Sequence, residues 1–255
     1  MTTTAADLAS HRLFPQWRFL QLTVAIVAWM FISPLLEAKW SGALALQLML
    51  LDLMLVTMWA NPNWRRARHV VGVLWVLSLL TSIGSALGLV EGMERLEQTL
   101  DVVFTIPVTA ACAVGVLGFA FRAERPTLDG IFAMVVVYLL IAILYAELQG
   151  LNLVWDHGAM HFPESIDQLT LRQLRGELVY FSLITLASVG YGDILPVSST
   201  ARMLATTEAV TGQFYVAVVV ATFVSMYTTQ ALTRRADAGK QAQEDSDRDG
   251  PRPRP

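Results

Sequence analysis

The chain is short of charge. Only 15% of its 255 residues are Asp, Glu, Lys or Arg, against 55% hydrophobic, where a soluble globular domain carries about a quarter charged residues. A soluble domain is therefore not expected, and a membrane protein is. Cysteine is nearly absent: Cys112 is alone and sits inside an apolar run, so an intrachain disulfide is impossible and no redox compartment can be read. Eighteen basic residues face 21 acidic ones, a net charge of −3, and no basic stripe offers a footprint for nucleic acid. No internal repeat is present. No metal cluster or nucleophile–base constellation stands among the apolar stretches, so an enzyme is not expected.

What is present is a series of long apolar stretches. A membrane-crossing helix takes roughly 20 mostly apolar residues. Residues 19–36, 42–60, 70–90, 102–121 and 131–151 satisfy this, and 203–227 is less pure but long enough. The segment before Phe19 is not followed by the short apolar core and small-residue cleavage site of a removable signal, so 19–36 reads as a retained first span. With the N-terminus inside, the inner segments hold Arg12, Arg18, Arg65, Arg66, Arg68, Arg122, Arg125, Arg234, Arg235 and Lys240, and the outer ones Lys39, Arg95, Arg172, Arg175 and Arg202. That bias favours a multi-pass cell-membrane protein with both termini cytoplasmic. The tryptophans agree: Trp17, Trp59 and Trp64 fall at the inner interface, Trp40 and Trp155 at the outer.

Between the last two spans lies 178–187, apolar but too short to cross, running into Ser188-Val-Gly-Tyr-Gly-Asp193. With outer flanks on both sides, this segment must enter the membrane and return. Non-helical backbone at membrane depth is tolerated only when buried in protein or lining water. Gly190 and Gly192 allow backbone shapes that a side chain disfavours, and a loop turning its carbonyls inward presents oxygens to a partly dehydrated cation. The expected fold is an all-α membrane protein with six transmembrane helices and a re-entrant pore helix and loop between helices 5 and 6.

Tyr180-Phe-Ser-Leu-Ile-Thr-Leu-Ala-Ser-Val-Gly-Tyr-Gly-Asp193, placed between two spans, resembles the pore-helix and filter signature of the tetrameric potassium channel family. The resemblance covers 131–227, and it implies a homotetramer, because one chain supplies one filter strand. It implies that Ser188, Val189, Gly190, Tyr191 and Gly192 supply filter oxygens to K+, with the Ser188 hydroxyl at the innermost site. The family usually has threonine there and often another before it, where this chain has Ala187; the hydroxyl is kept and the β-branched stiffness is lost. Asp193 falls at the pore mouth. Tyr180, Phe181, Thr185, Glu147 and Glu177 fall where they support the filter, with Glu177 opening the pore helix, Tyr191 in an aromatic cuff with Tyr180 and Phe181, and the Tyr180 hydroxyl a donor to Asp193. Gly212 matches a hinge glycine, with close helix packing the equal alternative. Val216, Val220 and Val224 share a helical face, toward the cavity or toward neighbouring helices.

The implied division is a cytoplasmic segment 1–18, a four-helix membrane domain 19–121, a linker 122–130, the pore domain 131–227 and a disordered cytoplasmic tail 228–255. Four helices before a pore are similar to voltage-gated channels, but 102–121 contains no Arg or Lys, so weak or no voltage gating is expected. Asp52, inside the second span, is an ion or proton site or a packing residue, with Ser78, Thr81, Ser82, Thr105 and Thr109 as potential partners. Gly84 and Gly88 form a close-contact motif. His157 and His161 stand four apart, as metal ligands or a proton sensor if helical, otherwise as a solvated loop. Glu208 has no partner legible in the sequence. The readings left open are a potassium-selective channel, a less selective monovalent cation channel, a potassium transporter subunit and a non-conducting adaptor. The expected partners are lipids, K+ and further copies of the chain; no cofactor is expected.

Overall fold

The structure is a computed structural model, and it describes residues 18–32, 47–55, 65–87, 94–122, 128–163 and 171–248. Seven helical segments follow in order: α1 (Arg18–Ile32), α2 (47–55), α3 (Arg65–Leu87), α4 (Glu94–Arg122), α5 (Leu128–Trp155), α6 (Leu171–Leu186) and α7 (Ser199–Arg248). Two short strands, β1 (Met160–His161) and β2 (Leu195–Pro196), pair antiparallel, with Met160 opposite Pro196. Among the described residues, Thr99–Phe121 in α4 and Asp129–Trp155 in α5 are long and apolar enough to cross a membrane; Phe19–Ala28 and His69–Gly84 are shorter apolar stretches. The ends of the first three expected spans lie outside the described residues.

Two apolar clusters organise the chain. Phe19, Leu22 and Ile26 recur on one helical face of α1 and pack with Leu50 and Leu53 of α2, Val108 and Val116 of α4, and Val136 and Leu140 of α5. The Phe19 and Phe119 rings stand 4.7 Å apart. The open first turn of α1 is closed from outside: Phe19 N donates to Asp129 Oδ1 at 3.0 Å, so an acid from the start of α5 satisfies a free amide of a neighbouring helix. The second cluster joins Ala146 and Leu153 of α5, Phe162 just after β1, Leu178 and Phe181 of α6, Ile194, and Ala201 of α7. It is the seat of the segment 187–193.

Helix α7 begins on a serine cap, with Ala201 N donating to Ser198 Oγ at 3.1 Å. It is tied to α5 by Tyr215 Oη donating to Met134 O at 2.6 Å and Gln149 Nε2 donating to Ala201 O at 3.1 Å. It then runs without a break to Arg248, where the composition of 228–255 implied a disordered tail. A helix already nucleated upstream is extended at little cost, and residues 236–248 are rich in the helix formers Ala, Gln, Lys, Glu and Arg. Helix α6 starts at Leu171, so Glu177 lies in its second turn and does not open it; Leu171, Leu174 and Leu178 recur at helical spacing through its polar start, and Leu174 packs against the second cluster.

Polar groups inside the first bundle form one connected chain. Gln47 Nε2 donates to Ser78 Oγ at 2.8 Å and to Ser82 Oγ at 3.1 Å, and the Ser78 and Thr105 hydroxyls bond at 2.8 Å. Ser82 Oγ and Thr81 Oγ1 donate to Asp101 Oδ1 at 2.8 and 3.3 Å, while Asp101 Oδ2 is paired with the Arg175 guanidinium of α6. Three of the partners considered for Asp52, Ser78, Thr81 and Ser82, thus bond Gln47 or Asp101, and a fourth, Thr105, bonds Ser78. Asp52 itself is exposed, and Thr109 Oγ1 is buried without a partner among the described residues. Helical geometry gives the reason: five residues past Gln47 is about 140° further round the axis, so a helix that turns Gln47 inward turns Asp52 outward. Gly84, the described half of the glycine pair, has nothing within 4 Å of where a Cβ would stand.

This chain makes Asp101 the acid that matters. Hydrogen bonds to a charged acceptor are worth about 1.5–3 kcal/mol net, and Arg175 is partly solvated, so Asp101→Ala should cost about 2 kcal/mol. Asp52→Ala, on an exposed face, should stay within about 0.5 kcal/mol. Thermal melts of the purified protein in one detergent compare the two; equal melting temperatures would mean that the network contributes nothing.

Candidate functional site

The segment between α6 and β2 is built from the way α6 ends. Ser188 N donates to Thr185 O at 2.9 Å, and Val189 N donates to Ile184 O at 2.8 Å. These two bonds are the paired closure of a Schellman cap, whose first residue beyond the helix takes the left-handed conformation. That residue is Ser188, with φ of 57°. Glycine usually stands there, because the left-handed region costs other L-residues roughly 1–2 kcal/mol. Gly190 and Gly192 follow with φ of 52° and 80°. These are the only positive values among the described residues, and they fall on every second position. A strand turns successive carbonyls to opposite sides. A backbone that alternates in hand at each residue turns them to the same side, so 188–192 is shaped to present a row of oxygens along one edge.

The two ends of the row are held by side chains. At its C-terminal end, Tyr180 Oη donates to Asp193 Oδ2 at 2.7 Å, and Ile194 N donates to Asp193 Oδ1 at 3.0 Å. The Tyr180 bond, followed by backbone amides and against some desolvation, holds the Asp193 carboxyl below its ordinary value. The same bond, helped by desolvation and by the Asp193 charge, pushes the Tyr180 hydroxyl up to about 12. At its N-terminal end, Gln213 Nε2 of α7 donates to Ser188 Oγ at 2.8 Å.

Helix α7 reaches that end because of Gly212. A Cβ there would collide with the carbonyl oxygen of Leu186, in the last turn of α6. Of the two readings open for this glycine, close packing has a direct structural basis, and α7 is continuous through it. Tyr145 Oη and Thr211 Oγ1 bond at 3.2 Å just beside the contact.

The remaining residues singled out by sequence are distributed as follows. Phe181 is buried in the second cluster and Thr185 is half-buried, its carbonyl engaged in the cap. Val189 and Tyr191 are exposed on the single chain, Tyr191 at 71%. Glu147 is buried in α5, within electrostatic reach of Arg175 and Asp101, and so stands with the Asp101–Arg175 end of the polar network. Glu177 is near enough to Tyr180 to act on it electrostatically. Val216 is exposed on α7, while the side chains of Val220 and Val224 lie outside the described residues. Glu208 is fully buried with both carboxylate oxygens unpartnered among the described residues, as is the Ser182 hydroxyl.

His157 and His161 do not share a helical face. Asp156 Oδ1 accepts from Gly158 N at 3.0 Å, forming a turn, and His161 is in β1. Among the described residues no group of three His, Cys, Asp or Glu is placed to hold a metal. The turn serves the site differently. Ala159 O accepts from Val197 N at 2.8 Å and Ser198 N at 3.1 Å, so the loop after α5 is laced to the chain leaving the glycine-rich segment.

Three contributors were missed from sequence: the left-handed Ser188, Gln213 and Arg175. The first had a signal in hindsight, since a helix that stops without glycine at its end needs another left-handed residue. The other two depend on which helix faces which, and no local pattern carries that.

Residues 131–229 match a family described as an ion channel. No curated protein and no solved structure matches the chain. Residues 131–229, containing α5, α6, the glycine-rich segment and most of α7, are therefore similar to an ion channel domain, and the long apolar helices fit a membrane location.

The two side-chain anchors are separately testable. A carboxyl whose folded value is lowered contributes fully above its ordinary value and loses that contribution as pH falls through the lowered one. The Asp193 contact should persist down to the ordinary 3.8 and fail only below it. On the alkaline side the Tyr180 donor should last until its proton leaves near 12. In Tyr180→Phe the carbon-13 shift of the Asp193 carboxyl should titrate at higher pH than in the native protein; coincident midpoints would show that the hydroxyl is not its main partner. Gly212→Ala drives a methyl into a backbone carbonyl that has no flexible end to move, and overpacking of this kind costs about 1–3 kcal/mol. Gly84→Ala, facing open space, should be neutral or stabilising by up to about 1 kcal/mol. Equal melting temperatures for these two variants would contradict the close contact.

Proposed function

We propose that the chain is one subunit of a homotetrameric, potassium-selective channel that conducts K+ passively across the cell membrane. The observation that carries this reading is the left-handed backbone at every second residue of 188–192, lying between two helices of a segment similar to an ion channel domain. A row of carbonyl oxygens on one edge of a strand is half of a coordination shell at best. Closing it around a cation takes further copies of the same strand, and a four-fold ring gives each ion oxygens from every subunit. The exposed Val189 and Tyr191 side chains would then be covered by neighbouring subunits, with α6 entering the membrane from outside and returning through the filter.

In this arrangement Ser188, Val189, Gly190, Tyr191 and Gly192 supply the filter oxygens and Asp193 the acidic outer mouth, where four carboxylates raise the local cation concentration. Val216 lies on an exposed stretch of α7 and would face the cavity or a neighbour. Voltage dependence is weak, because an elementary charge moved across the field is worth about 2.3 kcal/mol per 100 mV and the spanning part of α4 carries no Arg or Lys to move. Both termini are cytoplasmic, by the distribution of basic residues.

Recording from purified protein in planar bilayers under biionic K+/Na+ conditions tests this reading. The expected result is a reversal potential set by K+, currents well above transporter turnover rates, and a shallow conductance–voltage relation. A reversal potential near zero would instead identify a less selective cation channel. A stable monomer in native mass measurements, or no conductance, would remove the channel reading.

A further inference from the structure

We propose that Gln213 is a selectivity-determining positioning residue, which fixes the Ser188 hydroxyl as the innermost cation ligand of the filter. The inference rests on the channel reading above.

Ser188 lacks a branch at Cβ. A β-branched side chain at this position would be stiff about χ1. Serine has three open staggered wells, and only one of them aims Oγ at a given point. Without an external hold, part of the population in each subunit would turn the hydroxyl away, and a ring of four loses a ligand whenever any one turns. The structure supplies the hold: Gln213 Nε2 donates to Ser188 Oγ at 2.8 Å across 25 residues of sequence. A hydroxyl has two lone pairs and one hydrogen. The amide occupies one lone pair, the second is left for a cation, and the hydrogen is free to donate to water.

The reach of Gln213 is set by its neighbour. Gly212 seats α7 against the Leu186 carbonyl, closer than any residue with a side chain would allow. Leu186 is two residues before Ser188, so the glycine that brings α7 in also delivers the next side chain to the filter's inner end. Gln213 and Ser188 are both exposed on the single chain, on the side from which an ion leaving the filter would pass. Gln213 is exposed, so packing within the single chain does not explain it.

The test is the K+/Na+ permeability ratio of the full-length protein in bilayers, with four forms compared: native, Gln213→Met, Ser188→Thr and the double variant. Methionine keeps the length and loses the donor. A neutral hydrogen bond of this kind shifts populations by about fivefold, so Gln213→Met should lower the ratio by about that factor. Threonine restores stiffness without the amide, so Ser188→Thr in the Gln213→Met background should return the ratio to within about twofold of native. A merely structural glutamine would show no such rescue. An unchanged ratio in Gln213→Met, or a lowered ratio that Ser188→Thr leaves lowered, overturns the inference while the channel reading stands. A native protein without K+ preference overturns both. Should Gln213→Met fail to assemble, Gln213→Asn, one methylene too short to reach, takes its place with the same expected outcomes.

Discussion

The constraint on which the rest of the structure depends is the ending of α6 in a left-handed residue that is not glycine. A helix end leaves carbonyls that need partners, and the Schellman closure at Ser188 satisfies those of Ile184 and Thr185. It does so by reversing the hand of the backbone at once, which starts the alternation that Gly190 and Gly192 continue. The cap and the oxygen row are thus one feature: the conformation that stops the helix is also the first step of the row. Were Ser188 right-handed, α6 would run on and the two glycines would be turns in a loop.

A backbone of this kind is strained at one residue and open along its length, so it must be held from outside. The holds come from three directions. From above, β1–β2 pairing and the Ala159 carbonyl lace the outgoing chain to the loop after α5. From its own helix, Tyr180 reaches Asp193. From below, α7 presses Gly212 against Leu186 and offers Gln213 to Ser188. Each hold comes from a different part of the chain, so the segment reports the correct docking of α5, α6 and α7 together. The Arg175–Asp101 pair extends that dependence further. It joins the base of α6 to a polar chain running through α4, α3 and α2, giving the first bundle a physical connection to the helix that carries the site.

How much of this was legible in the sequence follows from the range of each interaction. The apolar stretches were plain, because burial in a membrane or a core acts on composition over many residues. The Tyr180–Asp193 contact was legible because thirteen residues separate its ends and one short helix fixes their geometry. Contacts between distant helices were not. Asp52 looked like the buried acid of the first bundle because it stands inside an apolar run, but the rotation of α2 gives the interior to Gln47, and the acid buried in the network with it is Asp101, which looked like a flanking charge. Hydropathy reads depth along a helix axis; it does not read which way a helix faces. The far end of α7 was obscured because it is helical by continuation from a well-packed neighbour, and the start of α6 because its leucines, Leu171 and Leu174, are spaced among Arg, Gln, Gly and Glu.

That distinction bears on Glu208 and Gly212, four residues apart on α7 and both fully or nearly buried. Residues at this spacing lie on one face of a helix, and this face is the one turned to α6: Gly212 meets Leu186, and Glu208 lies near Ser182, the residue one turn earlier. Glycine is explained by closeness alone. The carboxyl has no such explanation, because burying an acid costs free energy where an apolar side chain would cost none. Packing demands only that the α6-facing stripe of α7 be small at its tightest point, and it is silent on why the next contact along the stripe is polar. The stripe therefore joins two different kinds of choice, one dictated by distance and one by chemistry, and only the first is forced by the way these helices meet.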